Sequence, residues 1–270
     1  MRIGISTASL FARDYAENTL DIIKNDVGTS FAEVFLNTFS EYTPEFFDML
    51  KGRLDSLNMT VHSLHPQGTQ FEPALFSIYE RARSDAKATF LRILSGMRKI
   101  GANIYVFHGP STMGGIAKNL SFNRVGPIMH ELCDMAANFG VNIALENVSW
   151  CLFKEPDFAE RILNAANTDN LRFTLDIKQA MRSGHSPFEY LKVMNERLIN
   201  VHICDYKIID KKISLCMPGM GEFDFSMLFS TLDSIQYSGN LFIEVYSDMY
   251  DNISELKRSY DSMNNLLYRL

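Results

Sequence analysis

The sequence contains few cysteines, and none of them forms a pair at metal-binding or redox spacing. Four cysteines are scattered through 270 residues without a CxxC motif. The amino-terminal segment reaches Arg13 and Asp14 before any long apolar stretch, so it does not resemble a signal peptide. Free thiols are therefore expected rather than a disulfide framework, and the cytoplasm is the expected compartment.

Long hydrophobic runs and an excess of positive charge are also missing. No stretch approaches the roughly 18 consecutive apolar residues that would cross a bilayer, so no membrane insertion is expected. The formal net charge is −6, whereas proteins that bind nucleic acids usually present a basic surface. We therefore expect no nucleic acid partner, while a homo-oligomer is compatible with the sequence.

Glycine-rich phosphate-binding motifs are absent as well. The chain has no GxGxxG and no P-loop, and the run PGMGEFDF at 218–225 resembles a loop leading into a helix. A doubly wound open sheet normally carries a glycine-rich loop after an early strand, so this architecture is the second choice. With 46% hydrophobic and 21% charged residues, the chain can still bury a substantial core.

Short apolar or β-branched segments alternate with longer helical patterns along the chain. The eight predicted strands are residues 2–6, 31–36, 59–65, 103–108, 141–146, 172–176, 198–203 and 241–246. Apolar residues at helical spacing predict helices over 73–100, 122–139 and 253–268, among others. Strict alternation indicates a parallel sheet covered by helices, and eight such units favour an α/β fold of one closed (β/α)8 TIM barrel. It would form a single domain over residues 1–270.

Side chains of metal-binding and acid–base types lie near the carboxyl ends of six consecutive predicted strands. From the third strand to the eighth they are His65, His108, Glu146, Asp176, His202 and Glu244. In such barrels the chemistry gathers where strands end and loops begin. Any one of these residues could be a helix cap or a surface residue. The regular clustering is what predicts a functional site.

Side-chain alternation predicts which of these residues point toward the barrel axis. Ile243 and Val245 should meet the helices, so Glu244 between them should point inward. The same alternation turns three more side chains inward: Glu146, Asp176 and His202. Three converging carboxylates would repel one another unless a cation balanced them. Mixed Asp/Glu/His ligation predicts a divalent ion, Zn²⁺ or Mn²⁺ first, with Co²⁺, Mg²⁺ or Fe²⁺ as alternatives.

The third predicted strand carries two histidines, of which one can belong to the cluster. His62 and His65 are three residues apart and face opposite sides of a regular strand unless a bulge intervenes. His65 is nearer the strand end and precedes Pro66, whereas His62 is expected to be structural. His65 and His108 could bind a second metal ion with Glu146 as the bridge, bind substrate hydroxyls, or be core histidines.

An ordered set of sequence motifs resembles a known superfamily. VHSLHP, YVFHGP, IALEN, FTLDIKQA, VHICDY, PGMGEFDF and LFIEV are similar to the xylose isomerase-like barrels. The resemblance extends over nearly the whole chain and is strongest to the sugar phosphate isomerase/epimerase branch, which is related to endonuclease IV. It implies a metal-dependent isomerase or epimerase that acts on a small sugar or sugar phosphate through an enediolate.

The resemblance also implies roles for individual residues. Glu146 and Glu244 would move protons on opposite sides of the substrate, while Asp176 and His202 would anchor the metal. The four residues together match the metal ligands of the epimerase branch. His65 and His108 match histidines that bind an additional zinc in endonuclease IV.

The chain departs from the endonuclease IV pattern in two places. Gln179 stands where that family has a histidine, and the stretch 207–222 contains no histidine where the family has an Asp-x-His pair. The trinuclear zinc site therefore cannot be built in that form, and an AP endonuclease is a minor alternative. The others are an inosose-type keto-sugar dehydratase, which starts with the same proton abstraction, and a non-catalytic metal-binding barrel.

Three residues in loops after the strands are further candidates for substrate binding. Trp150 follows the fifth strand and could form an aromatic wall for a sugar ring or pack in the core. His185, in the loop RSGHSP, could reach a substrate or lie exposed to solvent. Asp205 could orient a ligand or a substrate hydroxyl, or it could cap its own loop.

Overall fold

The computed structural model describes residues 1–111 and 121–269, and eight parallel strands in it form a closed barrel. These strands are β1 (Arg2–Ser6), β2 (Phe31–Leu36), β3 (Thr60–Pro66), β4 (Ile104–Phe107), β5 (Asn142–Glu146), β6 (Leu171–Asp176), β7 (Leu198–Ile203) and β10 (Asn240–Ile243). Each pairs with its neighbour in this order, and β10 pairs with both β7 and β1 to close the barrel. The predicted (β/α)8 barrel is confirmed.

Helices follow the strands and cover the outside of the barrel. They are α1 (Ala16–Asp21), α2 (Pro44–Ser56), α3 (Glu72–Leu75), α4 (Glu80–Ile100), α5 (Phe122–Ala137), α6 (Phe158–Ala166), α7 (Ile177–Arg182), α8 (Pro187–Met194), α9 (Phe225–Ser234) and α10 (Ile253–Leu267). The helix predicted over 73–100 is divided into α3 and α4. Phe76 is buried at the break, and Arg124 donates to its carbonyl at 2.6 Å. Within the described ranges, every helix is too short or too polar to serve as a transmembrane segment.

The apolar faces predicted from helical spacing pack against the strands as one continuous core. At one point two helices approach so closely that only glycine fits. A Cβ on Gly96 of α4 would lie 2.1 Å from the ring of Phe47 on α2. All four cysteines are free thiols, as expected, and three of them are buried.

An antiparallel hairpin between β7 and α9 was not predicted. Its strands are β8 (Asp205–Ile209) and β9 (Lys212–Cys216), paired from Asp205 with Cys216 to Ile209 with Lys212. Asp210 and Lys211 form the turn with φ values of 50° and 62°. Two consecutive left-handed residues are typical of a tight hairpin turn, but Asp-Lys lacks the Asn-Gly or Asp-Gly signal by which such turns are recognised in sequence.

An irregularity in β3 determines where its two histidines lie. Ala32 of β2 is opposite Val61, whereas Val34 is opposite Leu64, so β3 contains one extra residue between these pairs. Simple alternation therefore does not hold along the whole strand. His62 lies against Phe31, 6.1 Å between ring centroids, while His65 lies near the carboxyl end of the barrel.

Candidate metal centre

The carboxyl ends of four neighbouring strands bring four acidic and histidine side chains together. Glu146 and Asp176 end β5 and β6, His202 lies next to the end of β7, and Glu244 directly follows β10. One potential ligand atom from each lies within 4.8 Å of the others. Their exposed fractions are between 0% and 5%, so the cluster is almost fully withdrawn from solvent.

Nδ1 of His202 faces the three carboxylates of this cluster. It lies 3.2 Å from Oε1 of Glu146, 3.4 Å from Oε2 of Glu244 and 3.7 Å from Oδ2 of Asp176. Burial would lower the pKa of His202, but the carboxylates, Glu244 foremost, raise it well above its ordinary value. The cluster therefore strongly favours a positive charge at its centre.

The donor atoms of the cluster fit a divalent metal ion. Oε2 of Glu146 is buried and makes no hydrogen bond within the described part of the chain, and the nearest ring nitrogen, Nε2 of His108, lies 3.3 Å from it. Burying a carboxylate oxygen without a hydrogen bond costs free energy of folding unless a cation or another donor approaches it. Three carboxylates and one imidazole form a ligand set that transition-metal ions accept.

His65 and His108 lie next to this cluster and contact each other. Their Nε2 atoms are 2.9 Å apart, and Nδ1 of His65 lies 3.0 Å from Oε1 of Glu244. Together with Glu146 they form a second group whose ligand atoms lie within 4.8 Å of one another. Both line a cavity and contact acidic or histidine side chains, and aromatic rings also pack against them: Phe35 against His65 and Trp150 against His108.

Sequence reasoning missed Glu72, which supports His108. This carboxylate is fully buried and accepts from the backbone N–H of His108 at 3.0 Å and from the hydroxyl of Tyr105 at 3.2 Å. Burial would lower the pKa of His108, but Glu146 and Glu72 raise it to about 10. Glu72 begins α3, six residues after the end of β3 and outside the strand-end positions of the sequence pattern, so the sequence offered no signal for this contact.

Sequence reasoning also missed Glu33, which lies beneath His202 inside the barrel. Its Oε1 is 3.0 Å from Nε2 of His202, and its Oε2 accepts from Ser63 Oγ at 2.6 Å and from Asn200 Nδ2 at 3.0 Å. A carboxylate in this position orients an imidazole so that the other ring nitrogen faces the metal site. The signal was an acidic residue on the inward face of the otherwise apolar strand FAEVFL.

Lys178 is the third functional side chain that sequence reasoning did not single out. It lies in the motif FTLDIKQA, and its Nζ donates to Oδ2 of Asp176 and Oε2 of Glu244. Burial would lower the pKa of Lys178, but Asp176 and Glu244 raise it well above its ordinary value. Its position two residues after Asp176 was the one available signal.

Asp176 is held in place by the neighbouring strand and by its own helix. The side chain of Asn147 accepts from the backbone N–H of Asp176 at 2.6 Å and donates to its carbonyl at 2.9 Å. Oδ1 of Asp176 caps α7 by accepting from the N–H of Gln179 at 2.8 Å. Oε1 of Gln179 in turn accepts from Ser149 Oγ at 2.8 Å, so Gln179 links α7 to the loop after β5.

A cavity of about 480 Å³ opens above the cluster at the carboxyl end of the barrel. Glu146 and Glu244 reach it, whereas Asp176 and His202 lie beneath it. Aromatic and polar side chains complete its lining, including Phe11, Phe35, His65, Gln67, Thr69, His108, Trp150, Lys178, Gln179 and Tyr246. Trp150 thus lies at the cavity, with its ring centroid 5.4 Å from that of His108.

His185 and Asp205, two of the candidate substrate-binding residues, do not line this cavity. His185 is half-buried away from it, with Nε2 2.8 Å from Oε2 of Glu155 and Nδ1 3.4 Å from Glu189. The carboxylate of Asp205 is buried and organises its own loop. It accepts from four backbone N–H groups at 2.7 to 3.0 Å: those of Tyr206, Gly219, Gly221 and Phe223.

Comparisons with known proteins agree with this architecture. The family model for the xylose isomerase-like TIM barrel matches residues 24–266. A search of curated protein sequences finds no match. Among solved structures, a D-tagatose 3-epimerase-like protein has a TM-score of 0.77 at 19% identity, covering 98% of this chain and 99% of that one. At this identity the likeness shows the fold alone.

Two further structures are similar to a comparable degree. The IolI protein with a bound zinc atom has a TM-score of 0.78 at 19% identity, covering 100% of this chain and 99% of that one. The 3-keto-D-glucoside 4-epimerase YcjR from E. coli, in its apo form, has a TM-score of 0.78 at 17% identity. That match covers 98% of this chain and 99% of YcjR.

Proposed function

Because the chain belongs to the xylose isomerase-like TIM barrel family, we propose that it is a divalent-metal-dependent sugar isomerase or epimerase. The observation that carries this proposal is the position of the four side chains relative to the cavity. Glu146 and Glu244 border the cavity, whereas Asp176 and His202 lie beneath it. The glutamates can therefore meet a substrate, and the other two residues can hold a metal.

Glu146, Asp176, His202 and Glu244 would hold the ion, with Zn²⁺ or Mn²⁺ as the first choices. When bound, such an ion would polarise the carbonyl and adjacent hydroxyl of a sugar and stabilise the negative charge that develops there. The protein orients two of these ligands through hydrogen bonds between the Asn147 side chain and the Asp176 backbone and between Oε2 of Glu33 and Nε2 of His202. These contacts reduce the freedom of the ligands and so favour one coordination geometry.

The two glutamates are in the charge state that a general base needs. Burial would raise the pKa of Glu146, but His108 and His202 lower it well below its ordinary value. For Glu244, His202 and Lys178 overcome the effect of burial in the same way. Both carboxylates are therefore ionised at neutral pH, and either can accept a proton from the carbon next to a carbonyl.

The positions of the two glutamates determine which reactions the site could perform. Glu146 follows β5 and Glu244 follows β10, with β6 and β7 between them in the barrel. One carboxylate can remove the proton from the carbon next to the carbonyl, which converts the sugar to an enediolate. The other can return a proton to the same carbon from the opposite face, which inverts that carbon. Return of the proton to the neighbouring carbon would give isomerisation instead.

The cavity supports a sugar-sized substrate. Its volume of about 480 Å³ lies within the range that small-molecule sites usually have. The indole of Trp150 offers an apolar face for a sugar ring, and Gln67, Thr69 and Gln179 offer hydrogen-bonding groups. The similar structures described as sugar epimerases support the same substrate class.

Solvent exchange tests this proposal directly. The metal-loaded protein is incubated in deuterated water with a panel of keto sugars and their phosphates, and deuterium at the carbon next to the carbonyl is followed by NMR. We expect exchange with at least one sugar and its loss after chelation. Loss of water from the substrate would identify a dehydratase. No exchange with any sugar, together with cleavage of abasic-site DNA, would contradict the proposal and favour an endonuclease.

A further inference from the structure

Lys178 places a positive charge inside the carboxylate cluster. The proposed proton transfer does not require this charge. Its Nζ donates to Oδ2 of Asp176 and to Oε2 of Glu244. The residue is 4% exposed and borders the substrate cavity. Burial penalises an ammonium unless opposite charges compensate it, so these two contacts are what keep Lys178 charged in this position.

Lys178 binds the two oxygens that a metal ion would also need. Oδ1 of Asp176 caps α7, and Oε1 of Glu244 lies 3.0 Å from Nδ1 of His65. The oxygens that remain near Nδ1 of His202 are Oδ2 of Asp176, at 3.7 Å, and Oε2 of Glu244, at 3.4 Å. These are the partners of Lys178, so the ammonium and a metal ion have overlapping binding positions.

A divalent ion and an ammonium repel each other too strongly to share two carboxylate oxygens. Lys178 lies in the first turn of α7, and its flexible four-carbon stem allows Nζ to move while the backbone stays in place. The space available to Nζ is the neighbouring cavity, which Gln179 and Trp150 also border. In that position the ammonium would face a bound substrate.

We propose that Lys178 is an exchangeable internal cation: it neutralises Asp176 and Glu244 in the metal-free protein, and metal binding displaces its ammonium into the substrate cavity. This inference rests on the metal centre proposed above. Displacement opposes metal binding, so an uncharged side chain at this position should raise metal affinity. It should also destabilise the metal-free protein, because the carboxylates lose their counter-charge. A lysine with a purely structural role would cause only the second effect.

The test compares Lys178→Met with wild type after both have been freed of metal with a chelator. Titration calorimetry with Mn²⁺ should give a dissociation constant at least about tenfold lower for the variant, the scale of a hydrogen bond between charged groups. The thermal unfolding temperature of the metal-free variant should be lower. Lys178→Arg keeps the charge and should not gain affinity. Lys192→Met removes an exposed helical lysine and should change neither quantity.

The outcomes separate this inference from the proposed function. If wild type binds Mn²⁺ and Lys178→Met binds it no more tightly, the exchange is wrong and the metal centre stands. If neither protein binds Mn²⁺, Zn²⁺ or Co²⁺, the metal centre and the exchange are both wrong. If Lys178→Met does not fold without metal, Lys178→Gln permits the same comparison, because it keeps a neutral hydrogen-bond donor.

Discussion

Oε1 of Glu33 lies 3.0 Å from Nε2 of His202, on the far side of the imidazole from the carboxylates that face Nδ1. The two ring nitrogens therefore have different partners, and the contact with Glu33 beneath the ring determines the ring orientation. An imidazole held by a carboxylate in this way is a better metal ligand because its tautomer and direction are set before the metal arrives. The barrel interior thus takes part in the site although no substrate could reach Glu33, which is fully buried.

Glu33→Gln should weaken metal binding while it preserves the size of the side chain. Loss of such an outer carboxylate typically lowers metal affinity by about 10- to 100-fold, and calorimetric titration with Mn²⁺ would measure it. Ser63→Ala is the matched control, because it removes one hydrogen bond to Glu33 but leaves the negative charge beside His202. Equal affinity in Glu33→Gln and wild type would show that the contact does not support the site.

Asp176→Asn should reduce metal affinity by about tenfold or more, because it replaces a charged ligand with a neutral one. A contact to a charged group is stronger than the same contact to a neutral group by about this factor. The fold should survive, because the amide oxygen can still cap α7 at Gln179. Metal content after purification and calorimetric titration measure the change. Asp157→Asn, at an exposed aspartate, should retain wild-type content. Full occupancy in Asp176→Asn would contradict the assigned ligand set.

Glu146→Gln and Glu244→Gln should each slow solvent exchange at the substrate carbon by roughly a hundredfold or more, as expected when a general base is removed. Both variants should fold and keep part of their metal, because three of the four ligands remain. The measurement is deuterium incorporation at saturating metal, compared with wild type. Undiminished exchange in both variants would exclude these residues as the acid–base pair.

Trp150→Ala and His185→Ala should have different effects on substrate binding. Trp150 borders the cavity, so its loss should raise KM for the sugar by about tenfold, the scale of one to two kcal/mol of lost stacking contact. His185 is paired with Glu155 outside the cavity, and its replacement should leave KM unchanged. Steady-state kinetics on the active sugar measure both values. A larger effect of His185→Ala would mean that its loop approaches the substrate.

His62 should make the protein less stable in mild acid. Burial and the nearby Arg2 lower the pKa of His62 in the folded state below its ordinary value of 6.5. As the pH falls below 6.5, the unfolded chain binds a proton first, so stability is lost until the folded-state pKa is reached. His62→Gln should therefore show a smaller decrease in unfolding free energy between pH 7.5 and 5, measured by urea denaturation.

Lys192→Gln is the control for this pH dependence, since it introduces the same glutamine at an exposed helical position. The decrease in stability between the same two pH values should not change in that variant. If His62→Gln retains the full wild-type decrease, then protonation of His62 does not contribute to acid sensitivity.

Local patterns in the sequence were sufficient to predict the barrel and the cluster of acidic and histidine side chains at its carboxyl end. Alternation of strands and helices depends on neighbouring residues along the chain, and parallel strands joined by helices place all their carboxyl ends on one face. Glu146 and Glu244 could therefore be expected near each other although 97 residues separate them in the sequence. The donor types of the candidate metal centre followed from the same strand-end pattern.

Other features depended on tertiary structure. Glu33 and Glu72 support His202 and His108 across contacts between different elements, and Lys178 turns back onto Asp176 only because its stem can reach the cluster. Periodicity tells which face a residue occupies, but not how high in the barrel it lies or which partner it meets. Those distances are set by strand register and by the packing of side chains from distant segments, and both arise only when the barrel closes.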